Sequence, residues 1–268
     1  MKHGVKRLLG RSLFAARLDA VLLRNAAVIV AFHRVKNGTL ASDSLTVDVA
    51  TFERYCDYFR QHFRVLPLRD LVRRLEERRS LSRALAITFD DGYRDNFDNA
   101  APVLERLGLP ATFFVVSRWM NTDIVPFWDG RVGVRHPWMT WEQIRSLQSR
   151  GFEIGVHTRT HPDLGKVTGD EAREEIAGAR ADLEQQLGAP VTSFAYPFGG
   201  RTHLSETNRE LVKEAGLRCC CSSYGGVNPR GTSPFHLHRV PITGWYASPH
   251  QFGFDVACGR TLLGSVPV

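Results

Sequence analysis

The sequence predicts a parallel α/β architecture in a single domain. Short apolar segments recur along the chain, and helical segments lie between them. No linker or internal repeat divides the 268 residues. A hydrophobic content of 43% and a charged content of 24% are ordinary for a globular protein. Both a closed barrel and an open sheet fit this alternation.

Seven segments are predicted as strands because they are short, apolar and bounded by turn residues. They are residues 27–32, 84–89, 111–116, 152–156, 191–195, 217–221 and 236–242. The first is continuously apolar and partly β-branched, which is typical of a strand buried on both faces of a parallel sheet.

Helices are predicted between these strands at residues 52–59, 68–75, 100–107 and 205–215. Gly108 directly follows the third of them, as expected for a glycine that ends a helix. Two capping boxes, Thr140 with Gln143 and Thr168 with Glu171, predict the first turns of two more helices.

The positive charge is concentrated at the start of the chain, and we separate residues 1–26, a basic amphipathic segment, from a domain over residues 27–268. Residues 1–24 hold six cations and one carboxylate, so they carry five of the seven net charges. The domain is nearly neutral, and no nucleic-acid partner is expected. The basic segment predicts a helix that either packs on the domain or contacts an anionic membrane peripherally.

The sequence favours a cytoplasmic location, with peripheral contact at the inner membrane face as the alternative. No apolar stretch reaches the length of a membrane-spanning helix, and charged residues interrupt the apolar core that a signal peptide requires. The five cysteines include the consecutive Cys219, Cys220 and Cys221, which do not resemble a disulfide framework. These three are expected in the core.

Polar residues follow four of the predicted strands where each strand ends. Sites in parallel α/β folds form at the carboxyl ends of the strands, so we expect these residues to meet at one rim. They are His33, Asp90, Asp91, His157, His161 and the turn Tyr196, Pro197, Phe198, Gly199 and Gly200.

Asp90 and Asp91 are adjacent, and adjacent residues on a regular strand point to opposite faces. Both can face one site only if the chain turns there, which Gly92 permits. Two close carboxylates favour a bound cation or a raised pKa. The alternative is an ordinary Asp-Gly turn with solvated side chains.

His157 and His161 are spaced so that, in a helical turn, both rings could share a metal ion. The motif reads HTRTH, so it lacks the glutamate base of the HExxH metalloproteases. Asp90 is available as a base instead. Pro162 makes a long helix unfavourable here and predicts a loop at the rim.

The segments ITFDDGYRDNFDNAAPVLERLGLPATFFV, HTRTH and FAYPFGG resemble the polysaccharide deacetylases, carbohydrate esterase family 4, and the likeness spans residues 33–242. AFHRV, PFWDG and FAYPFGG are similar to the branch associated with bacterial exopolysaccharide and cell-surface glycans. The resemblance implies a distorted (β/α)7 barrel. It also implies a divalent-metal hydrolase that removes N-acetyl groups from an N-acetylated glycan.

The resemblance also implies roles for individual residues. Asp90 matches the catalytic base, and the backbone N–H of Phe198 matches the oxyanion donor, in a turn shaped by Tyr196, Pro197 and Gly199. The implied metal ligands are Asp91, His157 and His161. Two histidines and one carboxylate are typical of catalytic Zn²⁺, with Co²⁺, Ni²⁺ or Mn²⁺ as alternatives.

The sequence departs from the family pattern at three positions, and the family's aspartate-containing fourth motif has no clear counterpart. Ala195 stands where the family has an arginine, and Phe198 replaces a tyrosine. His238 is the nearest match to the histidine that protonates the leaving amine, with a structural role as the alternative. Arg239 follows it where an aspartate is expected. Arg239 could replace the missing arginine by pairing with Asp90.

Three other functions remain open at this point. The same metal set could hydrolyse a non-glycan amide, or the protein could be an inactive barrel that only binds glycan. Two histidines and a carboxylate also hold Fe(II) in oxygenases, but the α/β alternation argues against the sheet sandwich of that class.

Four tryptophans could stack on sugar rings or pack in the core: Trp119, Trp128, Trp138 and Trp141.

Overall fold

The computed structural model describes residues 3–38, 45–243, 246 and 248–259. All seven predicted strands form, and they pair in parallel. The strands are β1 (Ala26–Phe32), β2 (Arg34–Lys36), β3 (Thr46–Asp48), β4 (Arg64–Val65), β5 (Ala84–Phe89), β6 (Thr112–Val115), β7 (Glu153–Val156), β8 (Ser193–Ala195), β9 (Cys219–Cys221), β10 (Asn228–Pro229) and β11 (Val240–Pro241).

The main sheet runs in the order β10-β1-β5-β6-β7-β8-β9, with β4 beside β5 and β11 beside β1. The stretch before β11 closes this sheet on itself, because Leu237 bridges to Cys221 of β9 while Val240 pairs with Val30 of β1. The result is the expected distorted (β/α)7 barrel. This excludes the sheet sandwich of the Fe(II) oxygenases.

The predicted helices form between the strands, and two of them contain a π-helical turn, at Asn96–Ala100 and Glu174–Gly178. The α-helices are α1 (His3–Ala15), α2 (Asp19–Leu22), α3 (Val49–His62), α4 (Leu68–Glu76), α5 (Ala101–Leu107), α6 (Phe127–Arg131), α7 (Trp141–Ser149), α8 (Gly169–Arg173), α9 (Ala179–Leu187), α10 (Glu206–Glu214) and α11 (Pro249–Ala257).

The sequence signals at the helix ends are confirmed. Thr140 and Thr168 each accept a hydrogen bond from the backbone N–H three residues on, and both capping boxes are complete. Gly108 ends α5 with a left-handed φ of 64°. The last strand is shorter than predicted: His236 ends a 3-10 turn, Leu237 forms only an isolated bridge, and regular pairing is limited to Val240–Pro241.

Strand β1 is buried along its whole length, as predicted. Its alternate residues serve two clusters: Val28 and Val30 pack in the large cluster that includes α3, whereas Ala27 and Ile29 pack in a smaller cluster with α4. Leu237 belongs to the smaller cluster. This alternation determines which side chains near β11 can reach the interior of the barrel.

The described part of the basic segment forms α1 and α2, and α1 packs against α11. Phe14 of α1 is buried, and Lys6 forms an ion pair of 2.8 Å with the buried Asp255 of α11. Among the described residues, no helix combines the length and apolar character that crossing a bilayer requires.

Candidate metal centre

Asp91, His157 and His161 converge at the carboxyl ends of β5 and β7. Their potential ligand atoms all lie within 4.8 Å of one another, and all three residues are buried. His157 Nε2 lies 3.3 Å and His161 Nε2 lies 3.4 Å from the same oxygen, Asp91 Oδ1. The structure therefore brings together the three residues that the resemblance implied as metal ligands.

The chain turns after β5, as the adjacent carboxylates require. Asp91 itself has a φ of 75° and Gly92 a φ of 87°, so both residues are left-handed. A Cβ at Gly92 would also come within 2.9 Å of the Met120 side chain. This turn aims Asp90 and Asp91 into one site, and a larger residue at position 92 would strain the backbone and displace the end of the Met120 side chain.

Other rim residues share this unfavourable backbone conformation. Thr158, His161 and Phe198 have φ values of 65°, 61° and 58°, in a region that residues with a Cβ rarely adopt. Each such residue costs of order 1–3 kcal/mol, and such strain clusters at functional sites. No local sequence pattern predicts this strain at Thr158 and His161, because the fold imposes it.

The donor set fits a divalent cation. The carbonyl oxygen of Ala195 lies 2.8 Å from His157 Nδ1, which leaves Nε2 free to act as a ligand. Asp91 Oδ1 is buried and has no hydrogen-bond partner. Burial opposes the ionisation of Asp91, but the two imidazoles more than offset this and hold its pKa well below the usual range. A cation bound between this buried carboxylate oxygen and the two imidazole nitrogens would give all three atoms a partner.

Asp90 pairs with Arg239, as the sequence suggested. The guanidinium donates from both terminal nitrogens to the two carboxylate oxygens, at 2.6 and 2.7 Å, and both side chains are fully buried. Burial would raise the pKa of Asp90, but Arg239 outweighs it and the pKa is lowered. Asp90 is therefore held as a carboxylate that can accept a proton.

The five N–H donors of Arg239 are all used. Besides Asp90, they reach Thr88 Oγ1 at 3.1 Å, the Ser222 carbonyl at 2.7 Å and Ser223 Oγ at 2.9 Å. The guanidinium carbon also lies 5.4 Å from the centre of the Phe114 ring. A fully bonded guanidinium has one orientation, so it also fixes the orientation of Asp90.

His33 lies beside this pair. Its Nε2 is 3.9 Å from Asp90 Oδ2, and its Nδ1 is buried without a hydrogen-bond partner. Burial lowers the pKa of His33, partly offset by Asp91 and Asp90. The Asn96 side-chain amide donates a hydrogen bond of 2.8 Å to the His33 carbonyl oxygen. His33 therefore places an imidazole ring beside Asp90, and burial favours the neutral form of that ring.

His238 is not brought to this group. Successive side chains of an extended segment point to opposite sides, and Arg239 points inward to Asp90. The His238 ring instead lies 5.3 Å from the Tyr224 ring, in an open pocket of about 230 Å³ that Arg209 also lines. Burial lowers its pKa, and nearby cations lower it further.

The FAYPFGG turn lies on the other side of the metal ligands. The Phe198 ring is 4.8 Å from the His161 ring, and within the described part of the chain no acceptor is present for the Phe198 N–H. A Cβ at Gly199 would come within 2.3 Å of the Ser223 nitrogen. Tyr196 and Pro197 are buried beneath the turn, and the Tyr196 hydroxyl has no hydrogen-bond partner.

Aromatic rings cover His161 from the loop that precedes α7. Trp119 and Trp128 lie 5.3 and 4.9 Å from the His161 ring. Trp119 and Trp138 are buried, so they pack in the core, whereas Trp128 is partly exposed. Of the four candidate tryptophans, Trp128 is the one that combines contact with a predicted ligand and exposure to solvent.

A buried ion pair connects this loop to the strand that follows β1. The sequence did not predict this pair. Arg34 donates to Asp129 at 2.8 Å, Tyr93 donates to the other Asp129 oxygen at 3.3 Å, and Trp128 donates to the Tyr93 hydroxyl at 3.1 Å. The two charged residues stand within AFHRV and PFWDG, the segments already noted as family-like. Their separation of 95 residues concealed the contact.

The comparisons with known proteins point to one family. The family model described as polysaccharide deacetylase matches residues 77–220, more than half of the chain. The YxkH protein of Bacillus subtilis is 24% identical over 217 residues, which cover 80% of this chain and 71% of that protein. The poly-beta-1,6-N-acetyl-D-glucosamine N-deacetylase of Escherichia coli is 35% identical over 80 residues, covering 28% of this chain and 12% of that protein.

A solved structure shares the fold. IcaB from Ammonifex degensii superposes with a TM-score of 0.72 at 24% identity, over 85% of this chain and 96% of that one. The region matched by the family model includes the DDG turn and the HTRTH motif. The chain therefore belongs to the polysaccharide deacetylase family, carbohydrate esterase family 4, and is a hydrolase of amide carbon–nitrogen bonds.

Proposed function

We propose that this protein removes N-acetyl groups from the amino sugars of a bacterial polysaccharide or its precursor. The observation that carries the proposal is the buried, bidentate Asp90–Arg239 pair beside Asp91, His157 and His161. A glycan-binding module has no need of an oriented base next to three potential metal ligands. Relatives named for N-acetylglucosamine polymers support the substrate class.

Asp90 is the general base of this proposal. It accepts a proton from the water that attacks the acetamide carbonyl, and Arg239 keeps it ionised and aimed. General bases contribute about 10²–10⁴-fold to rates. Ala195 stands where the family pattern has an arginine, and Arg239, directly before β11, takes over that role.

Two other groups complete the reaction. We assign to His33 the transfer to the departing amine of the proton that Asp90 takes from the attacking water, because His33 Nε2 lies 3.9 Å from Asp90 Oδ2. The Phe198 N–H, which lacks a protein acceptor in the described part of the chain, donates to the developing oxyanion. Tyr196, Pro197 and Gly199 position that donor.

Asp91, His157 and His161 are the residues that would hold the metal. When bound there, a divalent cation supplies Lewis acidity to the attacking water and to the substrate carbonyl. Two imidazoles and one carboxylate favour Zn²⁺, with Co²⁺, Ni²⁺ and Mn²⁺ as alternatives. Burial lowers the pKa of His161, which favours the neutral ring that ligation requires.

Metal removal tests this function. We expect chelator-treated protein to release no acetate from short N-acetylglucosamine oligomers, and one equivalent of Zn²⁺ to restore release. Zinc at 100 times its dissociation constant should also stabilise the fold by about 2.7 kcal/mol, measured by thermal unfolding. Stabilisation without acetate release would point to another amide substrate. Tight oligosaccharide binding without turnover would instead favour an inactive barrel.

Two histidine variants test the assignment of the proton donor. We expect His33→Gln to lower acetate release by about 10²-fold, because the amine then departs without a proton from the protein. His238→Gln is the matched control and should stay within about threefold of wild type, since its ring points away from Asp90. A large loss of acetate release in His238→Gln and a small loss in His33→Gln would identify His238 as the proton donor.

A further inference from the structure

An apolar surface that the deacetylation site does not use lies on the first two helices. It consists of large apolar side chains of α1, of α2 and of Leu18, the residue directly before α2, with exposed fractions between 42% and 66%, and we call it the α1–α2 surface. Its members are Val5 (47%), Leu8 (66%), Leu9 (42%), Leu18 (52%), Val21 (63%) and Leu22 (51%).

Helix α1 has already buried one face against the domain. Gly10 packs so closely on α11 that a Cβ would come within 1.9 Å of the His250 carbonyl oxygen, and Phe14 is 3% exposed. Leu8 stands about half a turn from Gly10, on the outward side. The exposed apolar residues are therefore a second apolar face, in addition to the one that the domain covers.

The same segment is strongly cationic. Arg7, Arg11, Arg17 and Arg24 are all exposed. The segment's single carboxylate, Asp19, is 2% exposed and lies 3.4 Å from Arg83. Exposed cations thus accompany the apolar face without an exposed carboxylate in residues 3–24.

We propose that the α1–α2 surface docks on an anionic lipid bilayer. Its apolar side chains would enter the headgroup region, and its arginines would face the lipid phosphates, as in interfacial helices. A second copy of this chain is a poorer occupant, because pairing the surface with itself would bring eight exposed arginines together. The proposal does not depend on the proposed deacetylation.

Docking would also orient the catalytic rim. Helix α2 is followed directly by β1 and lies at the amino end of that strand, whereas Asp91, His157 and His161 lie at the carboxyl ends of theirs. The part of the surface formed by α2 is thus at the opposite end of the barrel from the metal centre. A bilayer that holds α2 leaves the rim open to a polymer arriving from the aqueous side.

Vesicle cosedimentation of the full chain tests the proposal. We expect binding to vesicles of phosphatidylglycerol and phosphatidylcholine at low salt, weaker binding at high salt, and little binding to phosphatidylcholine alone. Arg11→Gln with Arg17→Gln should lower the partition coefficient by roughly 25-fold, since each arginine near an anionic surface is worth about fivefold. Leu8→Gln with Val21→Gln should lower it by at least about tenfold.

Val132→Gln is the matched control, because Val132 is 65% exposed but lies outside the α1–α2 surface. It should bind vesicles as wild type does, and circular dichroism should show all variants folded. Absence of wild-type binding to the anionic vesicles would overturn the proposal, as would equal binding by the Leu8→Gln, Val21→Gln variant. If light scattering shows that the wild type is a dimer and that the Leu8→Gln, Val21→Gln variant is a monomer, the surface binds a second copy of the chain instead.

Discussion

Replacing Asp90 with asparagine should lower the rate of acetate release by about 10³-fold, the typical contribution of a general base. Asparagine keeps the shape of the side chain but cannot accept the proton of the attacking water. Asp90 lies outside the three-residue metal set, so we expect zinc binding to persist. The measurement is the initial rate of acetate release with saturating zinc, beside zinc binding followed by calorimetry.

Asp255→Asn is the matched control for this change. Asp255 is also a buried carboxylate, 1% exposed and paired with a cation, but it belongs to α11 and contacts Lys6. Its variant should retain the wild-type rate. A rate for Asp90→Asn within tenfold of wild type, with zinc bound, would remove Asp90 from the role of base.

Replacing Arg239 with methionine should destabilise the fold by about 3–5 kcal/mol at neutral pH. The change leaves the Asp90 carboxylate buried without its cation and removes the donors to Thr88, Ser222 and Ser223. Urea unfolding measures the loss. The surface variant Arg106→Met is the control and should cost at most about 1 kcal/mol, since Arg106 pairs with Glu53 in solvent.

The pH dependence of the unfolding free energy lost in Arg239→Met identifies the electrostatic part of that loss. The pKa of Asp90 is lower in the folded protein than its ordinary value of 3.8. The stability that the ion pair contributes is therefore fully present above the unfolded-state pKa and is lost as the pH falls through the folded-state pKa. Without Arg239, burial raises the pKa of Asp90 in the variant, so the difference in unfolding free energy between wild type and Arg239→Met should begin to narrow above pH 3.8 and keep narrowing as the pH falls.

A double variant separates the pair from its surroundings. Adding Asp90→Asn to Arg239→Met should cost less than the sum of the two single changes, because the second change removes the charge that the first left unpaired. Strict additivity in urea unfolding would show that the two side chains do not stabilise each other. A loss for Arg239→Met no larger than that for Arg106→Met would contradict the buried ion pair.

Local patterns were sufficient for the seven parallel strands, for most of the helices between them and for the rim, but not for the short strands β2, β3, β4 and β10. Burial on both faces makes parallel strands continuously apolar, so β1 and β5 stand out in the sequence. Capping boxes and Gly108 marked helix ends because those signals lie within four residues. Parallel strands end at one rim, which is why Asp91, His157 and His161 could be grouped before any contact was known.

The identity of the partner for Asp90 required both kinds of information. The sequence showed that Ala195 lacks the family's arginine and that Arg239 was available, but it could not show which way Arg239 points. The closure of the barrel through Leu237 and Val240 decides this. With Leu237 and Arg239 facing inward, the alternation of side chains turns His238 outward.

The sequence by itself determined the α/β alternation, the order of the strands along the chain and the residues that stand at their ends. Only the tertiary structure decided that His33 lies beside Asp90, that Arg34 holds Asp129 across 95 residues, and that Arg239 reaches Asp90 across 149. The physical reason is that periodicity and capping are properties of neighbouring residues. Contacts between distant residues depend on barrel closure and on the side of each strand that faces inward.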